Sequence, residues 1–255
     1  MKKKKALAAI VAVALICCVA IGATLAYLQD TTNVAKNTFT LGKVDIFLDE
    51  AVVDEDGKAT DKRTYTGNTD TFNDDFGYLA VPGKAVDKDP TVHVVADSED
   101  CYVRMKVTLD NAANFIKVFK AHNPGATNDV AAAIALIPEC FVDYDKDVWK
   151  VDGASFDQTN DTVTVTFNYI GSKATDGIVP KSDAQTDLEP IITAVMLPTF
   201  VTNSDVALFP NGFSVEVIAE AIQATGFDDA SAAWTAFDEA ADDTIFGQVQ
   251  ASANP

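Results

Sequence analysis

Histidine, cysteine and clustered carboxylates are the side chains in this sequence best suited to acid–base, nucleophilic or metal chemistry. The two histidines, His93 and His122, stand apart. Neither lies in a His-Glu-x-x-His frame, which sets two imidazoles on one helical face around zinc. His93 falls in a predicted strand, Val92 to Val95, and reads as a satisfied structural residue. No Gly-x-Ser-x-Gly elbow and no phosphate loop occur, so the frames for acyl and phosphoryl transfer are missing. The run Asp143-Tyr144-Asp145-Lys146-Asp147 begins like a calcium loop with oxygen ligands at alternate positions. It then departs from one, because Val148 replaces the turn glycine and Ala154 the closing glutamate. Acidic residues number 38, too many for any one pair to be singled out as a glycosidase acid and base. No cofactor and no metal are expected.

Four cysteines are present, two of them, Cys17 and Cys18, inside an N-terminal apolar stretch. Cys101 and Cys140 remain for an oxidising exterior, where a disulfide is one outcome. It would close a loop worth roughly 4 kcal/mol in the chain-entropy model. Two separate buried thiols are the alternative, and a crosslink between chains is a third. A nucleophilic role for either would need a thiolate beside a histidine.

That N-terminal stretch is the strongest signal in the sequence. Lys2 to Lys5 precede an uncharged run from Ala6 to Ala26 that ends Gly22-Ala23-Thr24-Leu25-Ala26. Basic residues, an apolar core and small residues at the end make an export signal, with cleavage between Ala26 and Tyr27. A retained membrane anchor is the competing reading, since about 20 apolar residues span a bilayer. Cleavage removes four lysines and no acidic residue, taking the net charge from −19 to −23 and leaving 229 of 255 residues. Such an acidic chain is not built for nucleic acid or anionic lipid, which bind basic patches. Membrane contact is expected only through the uncleaved signal.

The elements that must position any site are mostly strands. Alternating apolar and polar residues predict strands at Val44 to Leu48, Tyr102 to Leu109, Thr162 to Tyr169 and Phe213 to Val217. Ile191 to Val201 is nearly continuously apolar, suiting a strand covered on both faces that Pro198 ends. Helices are predicted at Asn111 to Ala121, Asp129 to Ile137 and Asp228 to Phe237. Asp49 to Phe76 is rich in turn formers and predicts an exposed loop or a loose hairpin. The fold class expected is all-β, an antiparallel jelly roll or β-sandwich with a few short inserted helices. The domains are then a signal peptide at 1–26, one β domain at 27–247 and a disordered tail at 248–255.

Several segments carry a resemblance. Thr24-Leu25-Ala26-Tyr27-Leu28-Gln29-Asp30 and Asn37-Thr38-Phe39-Thr40-Leu41-Gly42-Lys43-Val44-Asp45-Ile46 resemble the start of the camelysin/TasA family of secreted Gram-positive proteins. Val81-Pro82-Gly83-Lys84, Lys88-Asp89-Pro90-Thr91-Val92 and Tyr102-Val103-Arg104 are similar to internal segments of that family. Ala219-Glu220-Ala221-Ile222-Gln223-Ala224 and Ala233-Trp234 resemble its ending. Leu28 departs from the phenylalanine often found there, and the helical insertion before Cys140 is longer than a minimal member needs.

The resemblance implies a jelly-roll protein of the biofilm matrix, trimmed by a dedicated signal peptidase and polymerising with itself, possible sister matrix proteins included. It implies that residues 27–40 insert as a donor strand into the next subunit, with Tyr27, Leu28, Val34, Phe39 and Leu41 as its apolar contacts. It also carries a rival, a camelysin-type surface metalloprotease in which acidic side chains and His93 or His122 hold the metal. A carbohydrate-binding β-sandwich is a third expectation, resting on fold analogy.

Overall fold

The computed structural model describes residues 43–65, 81–123, 125, 128–210 and 212–242. The signal at 1–26, the donor residues Tyr27, Leu28, Val34, Phe39 and Leu41, and the tail at 248–255 lie outside them. Most of the regular secondary structure among the described residues is antiparallel sheet, with a few short helices.

The first sheet has the order β2 (Ala59–Tyr65), β1 (Ile46–Val53), β4 (Thr91–Val94), β9 (Thr186–Asp187). A small second sheet orders β3 (Ala85–Asp87), β10 (Ala194–Met196), β6 (Phe141–Val142). The third orders β11 (Val215–Gln223), β5 (Cys101–Asp110), β8 (Thr162–Tyr169), β7 (Trp149–Asp157). Leu48, Val92 and Val94 of the first sheet share one core with Val103, Met105, Val107, Val165, Phe167 and Tyr169 of the third. Trp149 closes that core, fully buried, with its indole N–H donating 2.9 Å to the Glu189 carbonyl. The alternation in Thr162–Tyr169 holds residue for residue: Val163, Val165, Phe167 and Tyr169 are all buried.

Helices α1 (Ala112–His122) and α2 (Asp129–Cys140) follow β5 as an insertion. Asn111 turns the chain into α1 in a left-handed conformation, and the Asn128 side chain caps α2 by accepting from the Ala131 amide at 2.7 Å. Phe115, Ile116 and Phe119 of α1 meet Ala132 and Leu136 of α2 in a second cluster. A one-turn helix α3 (Asn203–Val206) carries a capping box between Thr202 and Asp205. Helix α4 (Ala230–Asp242) starts where Asp229 accepts from the Ala232 amide at 2.8 Å.

Of the two alternatives for Asp49–Phe76, an exposed loop or a loose hairpin, the described part takes the hairpin: Asp49 to Val53 continues β1, and β2 returns along it. The turn between them is held by Asp54, whose carboxylate accepts from the amides of Asp56 and Lys58, with Gly57 in left-handed backbone. Two other expectations are corrected. The long apolar strand at Ile191–Val201 shrinks to Ala194–Met196, because Pro190 and Pro198 flank it, although Ile191 and Ile192 stay buried. The strand expected at Phe213–Val217 starts later and ends at Gln223. Its second half, Ala219-Glu220-Ala221-Ile222-Gln223, holds two alanines and a glutamate, residues of weak strand preference, and pairing with β5 stabilises it.

Candidate functional site: an open sheet edge and a neighbouring cavity

Pairing between β11 and β5 runs without a break from Val215 opposite Leu109 to Gln223 opposite Cys101. The Asp110 amide donates to the Ser214 carbonyl at 3.3 Å, and the Ala224 amide to the Asp100 carbonyl at 2.7 Å. Antiparallel bonding alternates, so the even-numbered residues of β11 face β5. The N–H and C=O groups of Val215, Val217, Ala219, Ala221 and Gln223 therefore point to the other side. Among the described residues no strand pairs there.

Other edges in the described structure are short or blunted. β3, β6 and β9 have three residues or fewer. β7 bulges between Val151 and Gly153. β2 carries Asp61, Lys62 and Arg63. Charges, bulges and brevity are how sheets guard against adding a foreign strand. β11 has nine residues with no bulge, proline or lysine, its charges being Glu216 and Glu220, the latter paired with Arg104 and Lys106.

Its two faces differ. Val217, Ala219 and Ala221 pack inward against the main core yet are only half-buried. On the outer face Ile218 is 42% exposed, and on the inner face Val215, at the strand's start, is 37% exposed. At that start the inner surface opens into a cavity of about 70 Å³ walled by apolar side chains, among them Val107, Leu109, Leu136, Cys140, Val163 and Val215. With almost no polar wall it gives water no partners. Left empty, a cavity of 70 Å³ costs about 1.7 kcal/mol of stability at the usual cavity coefficient.

The described chain begins at the opposite end of β11. The Lys43 carbonyl accepts from the Glu99 amide at 2.9 Å, and the Asp45 carbonyl from the Val95 amide at 2.9 Å. The Asp45 amide donates to the Ser98 hydroxyl at 3.1 Å. Those turn residues lead directly into Cys101, the partner of Gln223.

Two of the segments that carried the resemblance, Tyr102-Val103-Arg104 and the ending from Ala219 to Trp234, meet on the outer face of the third sheet. Tyr102 packs with Ala224, Ala233 and Trp234. Arg104, 3% exposed, donates to Glu220 at 2.5 Å and to Asp238, and its guanidinium lies 4.2 Å from the Trp234 ring centre. The reading of β5 as half-buried is thus corrected at this end, where α4 covers the face that alternation assigns to solvent.

Cys101 and Cys140 are free thiols in different clusters, Cys101 in the main core and Cys140 beside the cavity. The disulfide expected as one outcome is not formed, because each thiol points into its own apolar surroundings. Burial pushes Cys101 up to about 11 and Cys140 up to about 12, with the carboxylates of Asp100 and Glu139 adding to the effect. Neither thiol has an electropositive setting that would make it a nucleophile.

His93 sits among carboxylates of the first sheet. Its Nδ1 lies 2.7 Å from Asp187 and its Nε2 3.0 Å from Asp49, while Phe47 stacks on the ring at 4.5 Å. Arg63 donates to Asp49 at 2.7 Å and to Asp89 at 2.8 Å. His122, on α1, lies 3.5 Å from Asp205 and against Phe200. Asp143 accepts from the Thr193 hydroxyl at 2.6 Å, and Asp145 caps the Asp147 amide at 2.8 Å. Among the described residues no group of three or more histidine, cysteine or acidic side chains is placed to hold a metal ion.

Burial of Asp49 opposes its charge, but hydrogen bonds from Arg63 and His93 outweigh it and hold the carboxyl below its ordinary value. Hydrogen bonds from His93 and Gln185 lower Asp187 in the same way. A depressed carboxyl stabilises the fold above its unfolded pKa, about 4, and that contribution disappears as pH falls through the lower folded value. The melting temperature is expected to drop between pH 7 and pH 3, and by less in Asp49→Asn, measured by circular dichroism.

Comparisons of the chain with protein-family models, curated proteins and solved structures find no match. The open edge, the cavity and the convergence around Arg104 stand on this chain's own geometry. Sequence reading missed the edge and the cavity. The signal for the edge was nine residues free of proline and lysine near the end of the chain, hidden by alanines.

Proposed function

We propose that this chain is a secreted structural subunit of an extracellular or biofilm matrix. In this reading the body is a jelly-roll sandwich, and subunits join when the segment starting at Tyr27 of one copy adds as a strand to the next. The role is structural rather than catalytic, and the self-associating copy is the principal partner. The observation that carries it is the unguarded outer side of β11, a row of backbone donors and acceptors that an extended peptide satisfies.

Two further features support the reading. The export signal at 1–26 places a new N-terminus at Tyr27, so cleavage frees the segment that is donated. Two of the segments resembling the camelysin/TasA family, Tyr102-Val103-Arg104 and the ending from Ala219 to Trp234, come together around Arg104.

Deleting Tyr27 to Thr40 from the exported chain is expected to abolish fibres in electron micrographs while leaving thermal melting nearly unchanged. Fibres that persist in the truncated chain would overturn strand donation.

A further inference from the structure

We infer that the apolar cavity beside Val215 is the seat for a single aliphatic side chain, Leu41 of a second copy, and that it fixes the register of the joint. The inference rests on the strand-donation reading and deepens it. Pairing along an open edge is the same at every residue, so the backbone alone leaves a two-residue slip nearly free of cost. Strand addition gains specificity from pockets that take alternate side chains. Val215, the first residue of the open edge, forms one wall of the cavity, the other walls coming from β5, β8, α1, α2 and β10, and the first inward side chain of an added strand would enter past it.

Size and chemistry select the occupant. An apolar cavity of 150 Å³ holds a benzene ring, and this one, at about 70 Å³, suits a branched aliphatic group instead. With almost no polar wall, it excludes asparagine, threonine and lysine, which make up much of residues 31–40. Leu41, directly after that run, is the branched aliphatic residue nearest the described body. Set opposite Val215 in an antiparallel strand, it places Phe39 over Val217 and lets residues 33–41 match the nine residues of β11. Phe39 then lies next to Ala219, whose small side chain leaves the inner face half-buried.

The direction also selects a second copy. Lys43 is fixed near the Gln223 end of its own β11, whereas the seat is at the Val215 end. An antiparallel arm with Leu41 at that far end must come from a neighbour whose Gln223 end abuts it. Such a head-to-tail contact does not close on itself, and repeats as a filament.

Cys140 lines the seat and supplies the test. Exported chains carrying Leu41→Cys, polymerised and then treated with a mild oxidant, are expected to give a ladder of disulfide-linked oligomers on a non-reducing gel, lost when Cys140→Ala is added. Ala133→Leu, which fills the cavity from α2, is expected to cut polymer yield about tenfold without lowering the melting temperature. If fibres form but no ladder appears and Ala133→Leu polymerises like the natural chain, the seat is refuted while strand donation stands. If the natural exported chain forms no polymer under any condition, strand donation fails and the seat fails with it.

Discussion

Ala219→Pro is expected to eliminate fibres while leaving the monomer folded. The Ala219 amide points away from β5, so proline there removes a donor from the open side and none from the existing ladder. Its ring also blocks an approaching strand. Ile218→Pro, one residue earlier, removes the amide that faces Lys106, and is expected to destabilise the third sheet by more than about 1 kcal/mol. The pair separates assembly from folding: thermal melting should report a large change only for Ile218→Pro, and electron microscopy the loss of fibres for Ala219→Pro. Abundant fibres from Ala219→Pro would mean that the edge of β11 is not where copies meet.

Arg104→Ala is expected to cost about 3 kcal/mol, read as a shift in the urea midpoint. Arginine here satisfies Glu220 and Asp238 at once and stacks on Trp234 and Phe237, joining β5, β11 and α4. Its removal leaves Glu220 largely buried with Lys106, at 3.0 Å, as its remaining cation. Arg104→Lys should recover little, because an ammonium cannot hold two carboxylates and lie flat on an indole ring together. A loss below about 1 kcal/mol in Arg104→Ala would show that the ion pairs only offset their own burial.

Periodicity made the central strands legible. Tyr102–Leu109 and Thr162–Tyr169 alternate in sequence, and both are strands within a residue or so of their predicted bounds. The helical insertion was equally readable, since the apolar spacing of Phe115, Ile116, Val118 and Phe119 suits only a helix. Less legible was how firmly distant partners order a segment expected as an exposed loop or a loose hairpin. The turn-rich start of the Asp49 region folds back as a hairpin because Asp49 is paired with Arg63 and His93 across the sheet, contacts no local window contains. Arg104 looked solvent-facing for the same reason, since the helix that covers it lies more than a hundred residues later. The candidate site was the least legible part. An open edge is the absence of a neighbour, and a cavity a mismatch among side chains from several elements, and neither leaves a local pattern.

Under the proposed secretion the order of the strands along the chain matters. The open edge belongs to the last of the eleven described strands, and its covering helix follows it. A polypeptide threaded through a membrane amino-terminus first would deliver that edge late, after nearly all of its other sheet partners had emerged. The sticky surface would then exist only on the far side of the barrier, and the cytoplasm would be spared premature clumping by the sequence of emergence alone.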